Sequence, residues 1–508
     1  MAKNEIGGPT GHVANATGEQ RPSPGGGLVM DVNAMRGQRV AIVGGGLAGL
    51  AAAEALSRFP FEIHLFEAKR SLGGRAGAYS DPDHPSLIDR CQHVAMGCCT
   101  NFLGFCERLE LEECFRRDTK LHFIDAAGKA HPFSASGWLP APLHLASAFR
   151  KQGYLSKPDQ KRIASALWAM APPEAVKKYA GWKMHDWLVE QLQSEEAIAR
   201  FWEIVLVSAL GAPLTEVSFV AARKVFVDGF LRHREAYQVY VPRIPLQDVF
   251  DVQAAQRLGE RGVRFHRQSP VRQVAYFNSR FNVRFGQGQE GIFENFIAAV
   301  PWHQSPKIFS PILKNLMPKL DNVDEIDSSP ISSVHLWLDR PLTKLPHAVL
   351  LDRTSQWVFN HGARQFKKST AYYYQVVISA SQDLAGRKHE ELSRSVLAEL
   401  VSAFSAQPAP YLLDFQVVTE KQAVFSATPA LEGLRPAQGT ILPGLALAGD
   451  WTKTGWPSTM EGAVRSGYLA AEAILRKYDY HDSVGDADLP VSFLSKMLWG
   501  IGKDESNR

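Results

Sequence analysis

The stretch RVAIVGGGLAGLAAAEAL, residues 39–56, decides the fold, because it joins a buried-strand pattern to a glycine-rich turn and a helix-forming segment. Residues 39–43 are β-branched and apolar, as in a strand of a parallel sheet. Alanine and leucine dominate residues 50–56 and favour a helix. A second strand is predicted over residues 62–66, and it is followed by Glu67. This order of strand, glycine turn, helix and strand predicts a β-α-β unit.

Three glycines in the turn, Gly44, Gly46 and Gly49, have the spacing of a dinucleotide-binding motif. We expect Gly44 to permit the tight turn and Gly46 to let the backbone approach a pyrophosphate. Gly49 would let the helix pack closely on the strand, and the helix N-terminus would face the phosphates. Glu67 can accept hydrogen bonds from a ribose. The motif therefore predicts an adenosine cofactor without a 2′-phosphate.

A second glycine pair follows in the segment SLGGRA, residues 71–76. Paired glycines expose backbone N–H groups and an arginine neutralises phosphate, so Gly74 and Arg75 are candidate phosphate contacts. A Gly-Gly-Arg at this place resembles the second phosphate contact of the FAD-binding amine oxidase and phytoene desaturase superfamily. The resemblance implies that the cofactor is FAD.

A block near the C-terminus resembles the part of the same superfamily that holds the flavin. There a predicted buried strand ends in Gly-Asp and a helix opens at Gly-Ala. The resemblance implies that the aspartate accepts from a ribityl hydroxyl and that the positive end of the helix points at the pyrimidine edge of the flavin. The cofactor-binding residues implied in this block are Gly449, Asp450, Glu461, Gly462 and Ala463.

Four segments resemble one branch of the superfamily, the squalene-associated desaturase-like proteins. They are IDRCQHVAMGCCTNF (88–102), LPAPLHL (139–145), AARKVF (221–226) and TMEGAV (459–464). Members of this branch act as hydroxysqualene dehydroxylases in squalene and hopanoid synthesis. Cys91 departs from the pattern, because a glycine is expected at that position near the flavin.

The resemblance implies that reduced FAD delivers a hydride to a polyprenyl alcohol, hydroxysqualene, and that squalene and water are released. The leaving hydroxyl must be protonated while bulk water is excluded. His93 is the candidate acid, since histidine titrates near neutrality. Asp89 and Glu461 are interpreted as cofactor-side contacts rather than acids. Arg223 and Lys224 either face the flavin or only solvate a helix, and the electron donor is left open.

Three alternatives use the same scaffold. A carotenoid or phytoene desaturase would run flavin chemistry on a polyprenoid in the oxidative direction. An amine oxidase commonly has a tyrosine of its aromatic cage where this sequence has Thr459, so the cage is incomplete. A prenyl-binding escort protein on this fold would not bind flavin and so would not need both flavin motifs. Both motifs are intact in this sequence.

The predicted fold class is α/β, with a Rossmann-like, discontinuous FAD-binding domain and an α+β substrate-binding domain for the lipid. The segment before residue 37 is rich in Gly, Pro, Ser and Asn and predicts a flexible tail. The predicted parts are a tail 1–36, an FAD-binding domain 37–100, 235–305 and 420–478, a lipid-binding domain 101–234 and 306–419, and a C-terminal tail 479–508.

The composition is that of a folded soluble protein, with 508 residues, 45% hydrophobic and 21% charged. A net charge of +4 predicts no nucleic-acid partner. The absence of a spanning apolar run and of a signal core predicts a cytoplasmic location. The five cysteines are expected to be buried free thiols, and no metal site is predicted. Residues 489–503 mix aromatic, aliphatic and lysine side chains, so they either contact the inner face of the membrane or dock on the body.

Overall fold

The computed structural model of the chain describes residues 32–82, 84–367 and 369–501. Its strands are β1 Arg39–Val43, β2 Glu62–Phe66, β3 Ala78–Asp81, β4 His84–Asp89, β5 Ala95–Met96, β6 Phe115–Asp118, β7 Leu121–Ile124, β8 Ala130–Phe133, β9 Val239–Pro242, β10 Arg264–His266, β11 Val271–Phe277, β12 Arg280–Phe285, β13 Gln289–Phe293, β14 Asn295–Ala298, β15 Ser328–Leu338, β16 His347–Leu350, β17 Trp357–Phe366, β18 Ser369–Ser379, β19 Leu412–Phe425 and β20 Leu445–Leu447.

Helices pack against the sheets and also form a helical lobe. The α-helices are α1 Val32–Met35, α2 Leu47–Leu56, α3 Thr100–Arg108, α4 Ala146–Arg150, α5 Lys157–Met170, α6 Glu174–Lys178, α7 Met184–Glu190, α8 Glu195–Ala197, α9 Ile204–Leu210, α10 Phe219–Phe226, α11 Ala255–Glu260, α12 Ser305–Ile308, α13 Pro311–Asn315, α14 His389–Phe404, α15 Leu431–Leu434, α16 Met460–Leu475 and α17 Phe493–Trp499. Three π-helical stretches, Ile198–Glu203, Val227–Leu231 and Asp248–Ala254, continue into or from these helices.

A parallel sheet with the strand order β10-β2-β1-β14-β20 forms the centre of the FAD-binding half. β1 lies between β2 and β14, and every pairing in this sheet is parallel. Strands buried on both faces explain why residues 40–43 are apolar without alternation and why residues 63–66, including His64, are all buried. The α/β fold class with a Rossmann-like core predicted from the sequence is confirmed.

Helices α2 and α16 pack closely on one another beside this sheet. Every residue of α2 is buried, which explains its run of alanines. Gly467 makes the approach possible, since a Cβ atom there would lie 2.2 Å from the Ala48 carbonyl oxygen. The helix that follows β1 is thereby fixed against the helix that follows β20.

A second sheet of seven strands, ordered β19-β15-β18-β17-β16-β7-β8, forms the wall of the substrate-binding half. Its pairings are antiparallel except for β16 with β7. The helices from α4 to α10 form a lobe whose core contains Trp187, Trp202 and Phe219. These aromatic residues are fully buried.

The chain segments differ in three places from the predicted domain limits. The core of the FAD-binding half extends past residue 100, because Phe102 and Phe105 of α3 lie in the same apolar cluster as α2. β19 runs through Phe425 and so carries the second sheet past residue 420. Most of the predicted N-terminal tail lies outside the described residues, but Met35 at its end is fully buried.

The predicted C-terminal tail is packed against the body as far as it is described. Asp486 accepts hydrogen bonds from Arg108 at 2.9 and 3.0 Å. Trp499 of α17 is buried against Val227 and Leu231. A helix of this segment is therefore docked on the body, and contact of the segment with a membrane stays a prediction. Among the described residues, no helix is both long and apolar enough to cross a bilayer.

The five cysteines are free thiols, as predicted. Four of them are buried and Cys91 is half-buried. Burial raises the pKa of the Cys91 thiol to about 12, so this side chain stays protonated at neutral pH.

We predict that Gly467→Ala destabilises the protein because its added Cβ meets the Ala48 carbonyl oxygen at 2.2 Å. Overpacking of this kind costs about 1–3 kcal/mol. Gly259→Ala is the matched control, since Gly259 also lies in a helix but nothing is within 4 Å of its added Cβ. The thermal midpoint should fall for the first variant and hold or rise for the second. Equal midpoints would contradict close packing of α2 on α16.

Candidate functional site

The first glycine motif forms a tight turn between β1 and α2. Gly44 has a φ of +109°, which favours glycine, and an added Cβ would lie 2.4 Å from the Ala299 carbonyl oxygen. A Cβ at Gly49 would lie 1.9 Å from the Gly44 carbonyl oxygen. Gly44 and Gly49 therefore have the turn and packing roles expected of them.

Gly46 has a different environment, because its open face lies beside the second glycine pair. It is the N-cap of α2, and no side chain caps the helix. The nearest atom to an added Cβ is the Cα of Gly74, 3.9 Å away. Gly73 donates to the Gly45 carbonyl oxygen at 2.8 Å, which holds the two turns together. The first N–H groups of a helix lack partners within it, so this cradle suits a phosphate group.

Glu67 braces the same turn with both carboxylate oxygens. Oε2 accepts from the Gly45 N–H and Oε1 from the Lys69 N–H, each at 2.8 Å. A carboxylate offers about four acceptor positions, so two remain for ribose hydroxyls. The predicted role of Glu67 is compatible with this geometry and stays a prediction.

Arg75 and Asp450 form an ion pair that joins the two ends of the chain. Arg75 Nη2 lies 2.5 Å from Asp450 Oδ1, although 375 positions separate the residues. Ser458 donates to the other carboxylate oxygen of Asp450, and Arg75 also donates to the Ala423 carbonyl oxygen at 2.8 Å. The two motifs that the sequence assigned to one cofactor are therefore in contact. Ser458 was missed, since a lone serine in a loop carries no pattern.

Gly449 positions the aspartate that follows it. Its φ of +134° favours glycine, and its N–H donates to Ser466 Oγ of α16 at 2.8 Å. The end of β20 is thus fixed to the helix behind it. Asp450 is nearly buried and points toward Arg75.

The start of α16 differs from the expectation. Thr459 is its N-cap, and its Oγ1 accepts from the Gly462 N–H at 3.0 Å. The Ala463 N–H donates to the Thr459 carbonyl oxygen at 3.0 Å. Both N–H groups that were expected to face the flavin already have partners within the protein. The donors left at this helix end are those of Met460 and Glu461.

The carboxylate of Glu461 is engaged within the protein, and its predicted contact with the cofactor stays a prediction. Its carboxylate is fully buried and accepts from the Phe102 N–H at 2.8 Å, at the start of α3. Asn101 Nδ2 donates to it at 3.2 Å, and Arg465 pairs with it at 3.0 Å. Burial raises the pKa of Glu461. The side chain joins α16 to α3, and its partners in α3 lie too far along the chain for the sequence to indicate them.

His93 has the hydrogen bonding of a neutral imidazole. Its Nδ1 lies 3.0 Å from the Cys91 carbonyl oxygen, which can only accept, so Nδ1 carries the proton. Burial lowers the pKa of His93, and the Arg75 charge lowers it further. At neutral pH, Nε2 is therefore an acceptor and not a proton donor. This geometry disfavours the predicted acid role.

Asp89 has the opposite shift. Burial raises its pKa to about 7, although Oδ1 accepts from the Leu246 N–H at 2.8 Å and Arg364 lies nearby. The residue borders a cleft between β4, the sheet and the segment after β9. Side chains lining that cleft include Trp337, His361, Arg364, Tyr373 and Gln375. A carboxyl group that holds a proton near neutrality in a cleft can act as an acid.

The two cations left open by the sequence have separate roles. Arg223 donates to the carbonyl oxygens of Met170 and Ala171, at 2.8 and 2.5 Å, and so closes the end of α5. Lys224 pairs with Asp228 at 2.7 Å and lies 4.4 Å from the centre of the Trp456 ring. Arg223 is structural, whereas Lys224 contacts the loop that leads into α16.

Known proteins of similar sequence act on polyprenoids. The chain is 26% identical over 453 residues to a hydroxysqualene dehydroxylase from Zymomonas mobilis subsp. mobilis, covering 85% of this chain and 98% of that protein. It is 23% identical over 463 residues to a 15-cis-phytoene desaturase from Synechococcus elongatus, covering 87% and 96%. The resemblance to the squalene-associated branch is thus matched by a full-length relative.

A solved structure with the same fold is cyclohexylamine oxidase from Brevibacterium oxydans IH-35A. The TM-score is 0.63 at 20% identity, with 87% of this chain and 100% of that chain covered. At this identity the likeness extends to the fold alone.

We predict that Gly46→Val lowers flavin retention without unfolding the chain. The added Cβ has 3.9 Å to its nearest neighbour, so the turn can hold it, but the side chain fills the face beside Gly74. We expect at least about a tenfold weaker affinity, equivalent to ~1.4 kcal/mol. The measurement is the ratio of visible flavin absorbance to protein after dialysis. Gly433→Val, at an exposed glycine with nothing within 4 Å, is the control. Unchanged flavin content in Gly46→Val would contradict the assigned cradle.

A second prediction concerns pH. The pKa of Asp89 is about 7 in the folded protein and 3.8 without the fold, so folding favours the protonated form. The contribution of the Asp89 carboxyl group to the free energy of unfolding is present at low pH and is lost as the pH rises toward 7. Asp89→Asn keeps the acceptor for the Leu246 N–H and removes the buried charge. Its unfolding midpoint in urea should match that of the natural chain near about pH 4 and exceed it near about pH 8. The control is Asp482→Asn, at an exposed aspartate, whose urea midpoint should follow that of the natural chain at every pH. The assignment is refuted if the midpoint of Asp89→Asn follows the natural chain in the same way.

The site residues fit FAD on three observations of this structure. The face at Gly46 is open to a phosphate group, the Arg75–Asp450 pair joins both motifs, and Glu67 keeps acceptor positions for a ribose. The model of the flavin containing amine oxidoreductases matches residues 47–475. The predictions of FAD as cofactor and of an oxidoreductase are confirmed. The chain belongs to the flavin containing amine oxidoreductase family.

Proposed function

We propose that this flavoenzyme reductively removes the hydroxyl group of hydroxysqualene and releases squalene and water. In this reaction the carbon–oxygen bond breaks and a carbon–hydrogen bond forms. A hydride and a proton are consumed, so an electron donor must restore the reduced cofactor after each turnover. The observation that carries the proposal is the full-length similarity to the relative from Zymomonas mobilis, together with the intact flavin motifs at both chain ends.

Reduced FAD, when bound, supplies the hydride. The chain's own residues hold the cofactor and balance its charge. The paired turns at Gly46 and Gly74 offer backbone N–H groups to the pyrophosphate, and Arg75 adds a positive charge. Asp450 and Ser458 limit the free movement of that arginine. The reaction also requires that bulk water is kept from the reacting carbon.

The proton for the leaving hydroxyl needs a group that carries it near neutral pH. Of the two candidates near the flavin segment, His93 is neutral with its proton on Nδ1. Asp89 has a pKa of about 7, and its Oδ1 is engaged by the Leu246 N–H. The proton of the acid form therefore belongs on Oδ2. We propose Asp89 Oδ2 as the proton donor in place of His93.

A second candidate function is desaturation of a carotenoid precursor. The similarity to 15-cis-phytoene desaturase favours it, since that relative also matches nearly full length. An amine oxidase is disfavoured, because Thr459, in place of the cage tyrosine, uses its side chain to cap α16.

The test is a single turnover without oxygen. We predict that chemically reduced holoenzyme mixed with hydroxysqualene returns to the oxidised flavin spectrum and forms one squalene per flavin, measured by lipid mass. Asp89→Asn should bind flavin but lose at least about 100-fold in this rate, as typical for removal of a general acid. His93→Gln is the matched control and should retain most of the rate.

Two results would overturn parts of the proposal. Flavin that stays reduced with hydroxysqualene, while oxidised enzyme desaturates phytoene, would replace dehydroxylation by the second candidate. Loss of rate in His93→Gln and not in Asp89→Asn would return the acid role to His93.

A further inference from the structure

One side of the helical lobe exposes large apolar side chains in an unusual concentration. Trp138 is 82% exposed, Trp168 50%, Phe493 81% and Met497 63%, and Leu143 is also exposed. Aromatic side chains of this size are rarely left in water by a protein that works alone in solution. We name these five residues the aromatic face.

The aromatic face is built from three chain segments that are fastened together. Ser492, the N-cap of α17, donates to the Ala141 carbonyl oxygen at 2.5 Å, which joins α17 to the loop containing Trp138 and Leu143. The ring of Trp168 on α5 lies 4.9 Å from the buried ring of Trp499 on α17. The segments are far apart in sequence, so the sequence alone could not indicate a common surface.

Helix α17 presents its two sides differently. Ser495 and Trp499 are buried against the body, and Ser495 Oγ donates to the Leu231 carbonyl oxygen at 2.8 Å. Phe493 and Met497, four positions apart, share the opposite side. The inner side is therefore anchored while the outer side offers apolar groups.

The chain segments that carry the aromatic face are rich in exposed positive charge. The exposed cations of residues 138–170 and 491–501 are Arg150, Lys151, Lys157, Lys161, Arg162 and Lys496. The single acidic residue in these two ranges, Asp159, is buried and accepts from Ser156 and Ser194. Six positive and one negative residue give these ranges a net charge of +5, against +4 for the whole chain. Lys161 and Trp168 both lie on the exposed side of α5.

We propose that the aromatic face and the cations of the same segments dock the protein on the surface of an anionic lipid bilayer, with Trp138, Trp168, Phe493 and Met497 inserted at headgroup level. Tryptophan and phenylalanine flanked by lysine suit that interface, where apolar rings enter the boundary and amines meet phosphates. A second copy of this chain is a poorer occupant, because lysine is depleted in protein–protein interfaces and two such faces would repel. Docking goes beyond the proposed function and does not depend on which lipid is turned over.

The experiment uses flavin-loaded full-length protein and sedimentation with vesicles. One set is phosphatidylcholine alone, and in the other about a third of the lipid is phosphatidylglycerol, which supplies negative surface charge. We expect tighter binding to the charged vesicles and weakening by salt. Phe493→Gln combined with Met497→Gln should weaken binding at least about tenfold. Lys161→Gln combined with Lys496→Gln should weaken it by about 25-fold, or about fivefold for each charge removed, and only on charged vesicles.

Matched controls lie elsewhere on the surface. Phe277→Gln with Ile312→Gln removes two side chains that are equally exposed, at 75% and 76%. Lys344→Gln with Lys421→Gln removes two exposed lysines. Both control pairs should bind vesicles like the natural chain, and all variants should keep their flavin and thermal midpoint.

The proposal fails if the Phe493 and Met497 variant binds charged vesicles as tightly as the natural chain. It also fails if the control pairs weaken binding equally. A fall in solution mass from dimer to monomer in that variant, with vesicle binding unchanged, would instead identify the face as a contact between copies. Turnover of hydroxysqualene dispersed in detergent is measured separately, so failure of docking and failure of the dehydroxylase assignment are distinguished.

Discussion

The buried carboxylate of Glu54 is the constraint on which the FAD-binding half depends. It lies in the last turn of α2, the helix that begins at the dinucleotide turn, and has no exposed surface. A charge without access to water is stable only when it is paired and hydrogen-bonded. Its partners are Arg58 of α2, Arg108 at the end of α3, Arg261 at the end of α11 and Tyr468 of α16. Elements distant along the chain therefore have to converge on α2 for that helix to be buried.

This convergence also sets the geometry of the cofactor site. Tyr468 and the adjacent Gly467 hold α16 against α2, and Gly449 is bonded to α16 through Ser466. The strand before Gly449 then has to lie beside β14, with its carboxyl end next to the turn at Gly44. Ligands of open parallel sheets bind at this edge. The contact between Arg75 and Asp450 is a result of that placement.

Much of the fold could be predicted because its signals are local. The glycine spacing placed the turn between β1 and α2, and the strand predicted over residues 62–66 is found at those residues as β2. The site was predictable only in part. Glu461 lies in the block that resembles a flavin-binding segment, yet its partners Asn101 and Phe102 lie 360 and 359 positions away. The spacing of apolar residues along the sequence does not indicate such a pairing.

Protonation was less predictable than position. His93 is near a flavin motif and titrates near neutrality as a free side chain, which favoured an acid role. Its burial and its bond to Cys91 reverse that inference, while burial of Asp89 makes a carboxyl group the better acid. Both effects come from surroundings that only the folded chain provides.

The order of strands in the parallel sheet has a consequence for synthesis of the protein. β1 and β2 leave the ribosome early, but β20, Leu445–Leu447, completes the sheet and is followed by Asp450 and α16. A nascent chain that has grown only to the second sheet lacks half of the groups that surround the cofactor. Flavin can therefore be captured stably only after translation is nearly complete, and prematurely terminated chains should accumulate colourless. Until then the side of α2 that packs on α16 stays uncovered, and exposed apolar surface of this kind makes an unfinished chain prone to aggregation.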